Sequence, residues 1–169
     1  MIDSNNNQSD VGTYLTFEMN EETFAINVSK VLNILEMQKI TWVPRARDYM
    51  KGVINLRGAV LPVVDLRIKF GLPIKEDSVD TSIIVLSIIK EEEEVLLGSI
   101  VDGVREVLEI KDDSIVASPV IGTRYNSELT TGMLQVDDKF ITILDIDKVF
   151  SINDVVEYKE QSTTETLEK

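Results

Sequence analysis

The sequence contains neither cysteine nor histidine. Without cysteine there is no disulfide, no thiolate nucleophile and no cysteine-based metal site, and a reducing compartment is the simplest setting for the chain. Without histidine the commonest general base and the commonest transition-metal ligand are both missing, so carboxylates, lysine, tyrosine and hydroxyls are the only groups left for chemistry. We therefore expect a protein that is not an enzyme, with no catalytic residue, no cofactor and no metal site.

Long apolar runs are also missing. The longest, such as Ile83–Leu86, fall far short of the roughly 20 residues that a membrane-spanning helix needs. The polar composition of residues 1–12 and 153–169 predicts two disordered tails. The N-terminal tail does not have the pattern of a signal peptide. The net charge of −13 repels phosphate backbones and anionic lipid, so neither nucleic acid nor membrane insertion is expected. These features predict a cytoplasmic, soluble protein.

Between the tails, most candidate elements are short runs rich in Val, Ile, Leu and Phe, a pattern that favours strands over helices. Tyr14–Met19 and Thr23–Val28 flank a short polar turn and predict a hairpin. Ser82–Ile89 and Val95–Val101 flank the acidic run Lys90–Glu94 and predict a second hairpin. The predicted fold class is mostly β.

The chain repeats itself. Three segments of its first half match three of its second half without a gap, with apolar residues matched at nearly every inward position: Val28–Met37 over Val101–Ile110, Gly52–Leu56 over Gly132–Val136, and Leu61–Leu66 over Ile141–Ile146. The copies run from Thr13 to Leu72 and from Thr81 to Ser151, with the polar join Pro73–Asp80 between them. The repetition predicts an internal duplication.

A unit of that size buries only about 60% of its unfolded surface and is marginally stable alone. We therefore predict two tandem five-stranded β-barrels that share apolar surface, one from residues 13–80, which include the join, and one from residues 81–152. Closure into barrels also hides strand edges. The strands predicted for the first copy are Tyr14–Met19, Thr23–Val28, Ile34–Ile40, Met50–Arg57 and Ala59–Val64.

Asp65 and Asp145 occupy equivalent places, each at the end of an apolar strand and before a short amphipathic stretch. The structural interpretation is an N-cap, in which the carboxylate accepts hydrogen bonds from the first turn of a short helix. The functional interpretation is a carboxylate pair for acid-base chemistry or metal binding. Duplication explains the pair without chemistry, so we predict two short helices, one after each aspartate.

The segment Gly52–Phe70, which contains Asn55-Leu-Arg-Gly58 and Leu61-Pro-Val-Val-Asp65, closely resembles the signature segment of the CheW family of chemotaxis coupling proteins. Tyr14-Leu-Thr-Phe17, Ile40-Thr-Trp-Val-Pro44 and Ile100-Val-Asp-Gly-Val104 follow the family's order and spacing. The resemblance covers nearly everything outside the tails and treats the chain as one domain of this family. It implies two five-stranded β-barrels in tandem, in agreement with the duplication.

The resemblance also implies a function. CheW-like proteins link transmembrane chemoreceptors to the histidine kinase CheA, meeting the kinase's regulatory domain barrel to barrel and taking the receptor's cytoplasmic tip in a groove between their barrels. On this basis we expect a cytoplasmic scaffold of a two-component signalling system, located at receptor arrays beneath the inner membrane. Its partners would be proteins only.

The residues that match the family's receptor-binding positions are Val31, Asn33, Gly52, Arg57 and Val104. Arg57 offers a fork of donors to a carboxylate or to carbonyls, but a solvated hairpin tip explains it as well. The valines could be ordinary barrel core, and Gly52 a strand-entry glycine repeated at Gly132. Asn33 departs from the glutamate that many family members carry at its position.

Three alternatives stay open. The first is the coupling module of a CheV-type protein, which carries a receiver domain after its barrels, for which the tail of this chain is too short. The second, from another class, is a metal-dependent hydrolase that uses Asp65 and Asp145, and it predicts a pocket where acids converge. The third is a structural protein without a signalling partner, whereas an adaptor predicts an exposed apolar patch.

Overall fold

The computed structural model describes residues 10–44, 46–117 and 129–150. In this part of the chain ten strands and two short helices follow one another in the order that the duplication predicts. The first copy supplies β1 (Val11–Met19), β2 (Glu22–Asn27), β3 (Val31–Glu36), β4 (Met50–Leu56), β5 (Ala59–Asp65) and α1 (Leu66–Lys69). The second supplies β6 (Ser82–Lys90), β7 (Glu93–Val101), β8 (Gly103–Lys111), β9 (Thr130–Val136), β10 (Lys139–Leu144) and α2 (Ile146–Val149).

Both predicted hairpins are confirmed. β1 pairs with β2 and β6 pairs with β7, antiparallel in each case. The two-residue turns, Asn20-Glu21 and Glu91-Glu92, have positive φ at both positions, with values of 51° and 64° in the first and 50° and 65° in the second. Two-residue turns of this kind match the right-handed twist of the flanking strands. The short polar and acidic stretches between these apolar runs therefore form tight turns.

The strands form two five-stranded sheets, sheet A in the order β8-β1-β2-β10-β9 and sheet B in the order β3-β6-β7-β5-β4. The predicted two five-stranded units are confirmed, but the prediction that residues 13–80 form one barrel and residues 81–152 the other is wrong. Each sheet takes the first two strands of one copy and the last three of the other. The two orders become identical when each strand is replaced by its equivalent in the other copy, so the duplication is intact and only the assignment of strands to sheets differs.

In chain order, sheet B is continuous from β3 to β7, while sheet A is built from β1 and β2 together with β8 to β10. The chain passes between the sheets twice, through the 3-10 turn Val28–Lys30 and through Asp102. We refer to these two places as the crossings. β1 begins at Val11, inside the tail predicted for residues 1–12; residues 1–9 and the tail 153–169 lie outside the described residues.

Each sheet closes into a barrel through one isolated bridge. Thr41, beyond β3, pairs with Val53 of β4, and Val116, beyond β8, pairs with Met133 of β9. We call the closed sheets barrel A and barrel B. At both closures a glycine adjoins the bridge, because a Cβ at Gly52 would overlap the carbonyl oxygen of Thr41 and a Cβ at Gly132 that of Val116. Gly52 also has φ +145°, which L side chains rarely adopt.

The described residues form three apolar cores. One lies inside barrel A and includes Tyr14, Leu134 and Ile143, and one lies inside barrel B and includes Ile54, Leu61 and Ile83. The third and largest, which we call the shared core, contains side chains of both barrels, with Phe17, Phe24, Leu86, Ile88 and Phe150 among those that are fully buried. The alternation along the central strands explains this arrangement, since one face of β6 points into barrel B and the other into the shared core.

Neither helix of the described residues is long and apolar enough to cross a membrane.

Candidate functional site

Asp65 is a helix cap and a buried ion-pair partner. It is fully buried, and its Oδ1 accepts a hydrogen bond from the Arg67 backbone N–H, 3.0 Å away, at the start of α1. The same carboxylate accepts bonds from Nε and Nη2 of Arg67 at 3.0 and 2.9 Å. The predicted cap is confirmed here. Because both carboxylate oxygens are engaged by Arg67, they are not free to act as the base or metal ligand that the hydrolase alternative requires.

At Asp145 the predicted side-chain cap is wrong. α2 does follow this residue, but the Asp145 carboxylate makes no cap hydrogen bond and lies 3.9 Å from Lys148 Nζ. The equivalent of Arg67 in this copy is Asp147, so no guanidinium is present to orient the carboxylate over the first turn. Within the described residues no three acidic side chains converge as they would around a metal ion.

Arg67 connects Asp65 to the second crossing. Its Nη1 donates to Asp102 Oδ1 at 2.8 Å, while Asp102 Oδ2 accepts from the Asn20 backbone N–H at 2.7 Å. Burial alone would lower the pKa of Arg67, but hydrogen bonds and charge attraction from Asp65 and Asp102 outweigh it and raise the pKa. The guanidinium is therefore permanently charged, and it joins barrel B to the crossing and to the β1–β2 turn of barrel A.

A second ion pair occupies the equivalent place in the other copy with the charges reversed. Lys30, at the first crossing, lies 2.7 Å from Asp147 Oδ2, and Asp147 Oδ1 accepts from the Ile89 backbone N–H at 3.0 Å. Burial would raise the pKa of Asp147, but the bonds from Lys30 and Ile89 lower it below the usual aspartate value. Each crossing is thus held by one ion pair to a short helix. The hydrogen bond from a hairpin is accepted by the crossing residue Asp102 in one copy and by the helix residue Asp147 in the other.

Barrel A opens at one end into a polar cleft of about 510 Å³. Its rim carries the ion pair of Arg105 and Glu18, whose Nη2 and Oε2 lie 2.6 Å apart. The lining residues are Thr16, Glu18, Thr23, Arg105, Glu106, Val136, Asp137, Asp138, Lys139 and Ile141. Charged side chains of both signs dominate this opening, which therefore resembles an ordinary hydrated surface.

Barrel B has the same strand order and registers, so equivalent residues define its corresponding end. We call this end the barrel B opening. Leu32, Leu56 and Leu96 stand where barrel A has Arg105, Val136 and Thr23, and Leu32 and Leu96 are 54% and 38% exposed. Asn33 and Arg57 stand where barrel A has Glu106 and Asp137. Ser87, bonded to Glu94, stands where barrel A has Glu18. The barrel B opening is therefore mainly apolar, with Asn33, Arg57 and Ser87 as its polar residues, and it is the kind of exposed apolar surface that marks an interaction site.

Arg57 projects from the tip of the β4–β5 hairpin. It is exposed, with φ 53°, and the following Gly58 has φ 85°. The Gly58 N–H donates to Asn55 Oδ1 at 2.9 Å, which fixes the turn. The sequence prediction of a hairpin tip at Arg57-Gly58 is confirmed. Within the described residues the Arg57 guanidinium, held on a tight turn and exposed to solvent, can offer its donors to a partner's carboxylate or carbonyls.

Val31 and Val104 form a separate pair. They are equivalent residues near the starts of β3 and β8. Val31 comes directly after the first crossing and Val104 one residue beyond the second, and both are partly buried against the shared core. Farther along the same strands, Ile34 and Val107 are 45% and 56% exposed and face the same side, because they lie opposite Ile84 and Leu15 of that core. The valines thus border two apolar margins between the barrels.

The five predicted site residues therefore fall into three groups. Asn33 and Arg57 share the barrel B opening, Val31 and Val104 border the shared core, and Gly52 is buried at a barrel closure, where it could reach a partner only through the shape of the backbone. Sequence reasoning missed Arg67 and Asp102, although the Asp-Leu-Arg spacing of residues 65–67 was a readable signal. It also missed the contrast between the two openings.

The CheW-like domain model matches residues 13–154 of this chain. The chemotaxis protein CheW of Rhizobium meliloti is 32% identical over 136 residues, which is 80% of this chain and 85% of that protein. CheV3 of Helicobacter pylori is 33% identical over 131 residues, which is 76% of this chain but 41% of that protein. The crystal structure of the scaffolding protein TtCheW from Thermoanaerobacter tengcongensis superposes with a TM-score of 0.76 at 30% identity, covering 88% of this chain and 94% of the other. This chain belongs to the CheW family of chemotaxis proteins.

Proposed function

We propose that this chain is a coupling adaptor that holds the regulatory domain of the histidine kinase CheA and the cytoplasmic tip of transmembrane chemoreceptors in one signalling array. The observation that carries the proposal is the contrast between two equivalent barrel ends. One is polar and charged, whereas the other exposes Leu32 and Leu96 beside Arg57. The two ends descend from one duplicated unit and were originally the same. An end that has become apolar although it faces water therefore indicates a surface that binds a partner.

The barrel B opening is the surface proposed for the kinase. A partner barrel with an apolar end would cover the leucines, and Arg57 would supply a charge-assisted hydrogen bond at the edge of the contact. Asn33 lies at the same opening and carries no charge, so a partner does not have to neutralise a carboxylate there. On this proposal Arg57 belongs to the kinase contact, whereas the resemblance to the family predicted it among the receptor-binding residues.

The margin beside the shared core is the surface proposed for the receptor. Val31 and Val104 lie where the chain passes between the barrels, and Ile34 and Val107 extend each apolar strip. An amphipathic helix binds such a strip through apolar residues that recur at helical spacing. On this proposal the protein acts in the cytoplasm, beneath the membrane that carries the receptors, and contributes binding geometry with no chemical step.

Arg57→Glu tests the kinase surface. We expect the binding constant for the isolated CheA regulatory domain, measured by calorimetry, to fall at least tenfold, because a carboxylate would face the group that now accepts from the guanidinium. The matched control is Asp138→Lys, an equally large charge change on the equivalent hairpin of barrel A, and it should bind normally. Equal binding by Arg57→Glu with an unchanged thermal melt would remove Arg57 from the kinase contact.

Val31→Ser tests the receptor surface separately. We expect weaker co-sedimentation with receptor-containing membranes while affinity for the kinase domain is kept. If both variants lose the same partner, the division into two surfaces is wrong, although the adaptor proposal survives. A chain that binds neither the kinase domain nor receptor membranes would overturn the adaptor proposal itself.

The match to CheV3 supports a second form of the same proposal, the coupling module of a CheV-type protein. Such a module would use the same two surfaces. Binding to the kinase domain would therefore be the same in both cases.

A further inference from the structure

The two halves of the chain are interlocked. We call residues 10–72 the first half and residues 81–150 the second half, and the join Pro73–Asp80 is the covalent link between them. In barrel A, β1 and β2 of the first half pair with β8 and β10 of the second. In barrel B, β3 and β5 of the first half pair with β6 and β7 of the second. Each of these pairings would be the same if the two halves came from different copies of the chain.

The join lies outside both barrels. All of its residues are exposed, and the apolar Val79 is 99% exposed. Its contacts with the first half include a long hydrogen bond of 3.4 Å from Arg67 Nη1 to the Lys75 carbonyl oxygen and an exposed ion pair of 3.8 Å between Lys75 and Glu21. Three of its residues are acidic, and a charged linker repels itself and extends. Among the described residues the join therefore has few contacts to lose when it extends.

Two ion pairs of opposite polarity determine which halves fit together. At one crossing the helix residue of the first half, Arg67, is the cation and pairs with Asp102 of the second half. At the other crossing the helix residue of the second half, Asp147, is the anion and pairs with Lys30 of the first half, which lies one place beyond the equivalent of Asp102. Two first halves would bring Arg67, which is buried, to Lys30, and two second halves would bring Asp147 to Asp102. Because like charges placed together are destabilising, a first half pairs with a second half.

We propose that two copies of this chain exchange halves, so that each pair of barrels contains the first half of one copy and the second half of the other. The interface between the exchanged halves is the one that joins them within a single chain. The arrangement closes after two copies, as a twofold dimer does. Each barrel B opening then takes Leu32 and Arg57 from one copy and Leu96 from the other. The second copy therefore contributes residues to each proposed binding surface.

The exchange takes place while the chain folds. During synthesis the first half is complete before the second, and its strands cannot bury their apolar faces until a second half is present. A short linker holds its own second half at an effective concentration on the order of 1 mM, so the single-chain form predominates when folding occurs at much lower protein concentration. An exchanged dimer returns to single chains only when both barrels unfold, which is slow.

The absence of cysteine from the chain provides a direct test. Thr13 of β1 lies opposite Glu109 of β8. Opposed residues of antiparallel strands have Cα atoms about 4.5–5.5 Å apart, within the range that a disulfide spans. Full-length Thr13→Cys and Glu109→Cys chains, mixed in urea, refolded together at high concentration and then oxidised, should give a disulfide-linked heterodimer. The same two variants refolded separately and then mixed should give none.

Glu36→Cys is the matched control. Glu36 is exposed and is equivalent to Glu109 in the duplicated unit, so it would lie opposite Thr13 only if two first halves paired. Thr13→Cys and Glu36→Cys chains that are refolded together should therefore remain unlinked. Cross-linking of equal yield with Glu36→Cys, or no cross-linking with Glu109→Cys, would overturn the proposal.

Sedimentation equilibrium provides a measurement that needs no thiol. Unmodified chain refolded from urea at about 1 mM, the order of the effective concentration that a short linker provides, and then diluted should contain a fraction with twice the mass of one chain. Chain refolded at a far lower concentration should show the mass of one chain. The mass of one chain after both treatments would overturn the proposal. Neither experiment includes kinase or receptor, so failure here is separate from failure of the adaptor proposal.

Discussion

Arg67 and Asp102 form a buried ion pair, Nη1 to Oδ1 2.8 Å, with side-chain exposures of 3% and 10%. The two residues belong to different copies of the duplicated unit, and the pair connects α1 with the crossing from barrel B to barrel A. Asp65 and the Asn20 amide complete the network. Because every charge in it has a partner, the network tolerates burial and can fix the place where the chain changes barrels.

Arg67→Met should lower the free energy of unfolding by about 3–5 kcal/mol, since it leaves Asp65 and Asp102 buried without their cation. Urea denaturation followed by circular dichroism measures the loss. Arg105→Met is the control, because its pair with Glu18 is exposed at the rim of the barrel A cleft and should cost about 1 kcal/mol or less. Similar losses for the two variants would show that the network does not stabilise the crossing.

Asp147→Asn should reduce stability at neutral pH but not in acid. The pKa of Asp147 is lowered in the folded state, chiefly by Lys30 and the Ile89 amide, which outweigh its burial. Because the folded-state pKa is lowered, ionised Asp147 contributes stability that is fully present above the ordinary carboxyl pKa of about 3.9. This contribution is lost as the pH falls through the folded-state pKa. Denaturation should show that the free energy of unfolding of Asp147→Asn lies below that of the unmodified chain at pH 7 and that this difference is smaller near pH 3. The control, Asp138→Asn, should match the unmodified chain at both pH values.

Gly52→Ala should destabilise the chain far more than Gly58→Ala. Both glycines have positive φ, but only at Gly52 would the new Cβ overlap backbone, namely the Thr41 carbonyl, whereas nothing lies near Gly58. We expect the free energy of unfolding to fall by about 1 kcal/mol for Gly58→Ala, because an alanine would have to adopt the left-handed conformation of the turn. The loss for Gly52→Ala should be at least twice as large, because the backbone at the barrel closure must shift. Thermal melts compare the two. Equal losses would mean that the bridge is not needed for closure.

Two fragments divided within the join Pro73–Asp80 should fold only together. Sheet B needs β3 to β5 from one fragment and β6 and β7 from the other, and sheet A is divided in the same way. Each fragment alone should give the circular-dichroism spectrum of an unfolded chain, and mixing should restore β structure. Independent folding of either fragment would contradict the exchange of strands.

Much of the fold follows from short-range pattern. The apolar runs, the polar turns at Asn20-Glu21 and Glu91-Glu92, and the short helix after Asp65 all appear where the sequence predicts them. Which strands lie side by side in each sheet could not be predicted from the sequence. The alternation of apolar and polar residues tells which face of a strand is buried, but not which strand is its neighbour. With two equivalent copies, β6 is as good a neighbour for β3 as a strand of its own copy would be.

The candidate surfaces were predicted in part. Val31, Asn33, Arg57 and Val104 were identified by resemblance, which could not divide them between the barrel B opening and the shared core, because that division depends on the exchange of strands. Asp145 was expected to behave like Asp65, but the change from Arg67 to Asp147 in the second copy removes the cation that orients the first carboxylate. Duplicated positions keep their place in the fold and lose their chemistry independently.

The two crossings give the molecule a mechanical property. Barrel B is entered and left through one 3-10 turn and one residue, and each passage is held by an ion pair, so the barrels have little freedom to swivel against each other. A protein bound to one barrel therefore keeps a fixed orientation relative to a protein bound to the other barrel. A protein built in this way can transmit orientation across its whole width without changing shape.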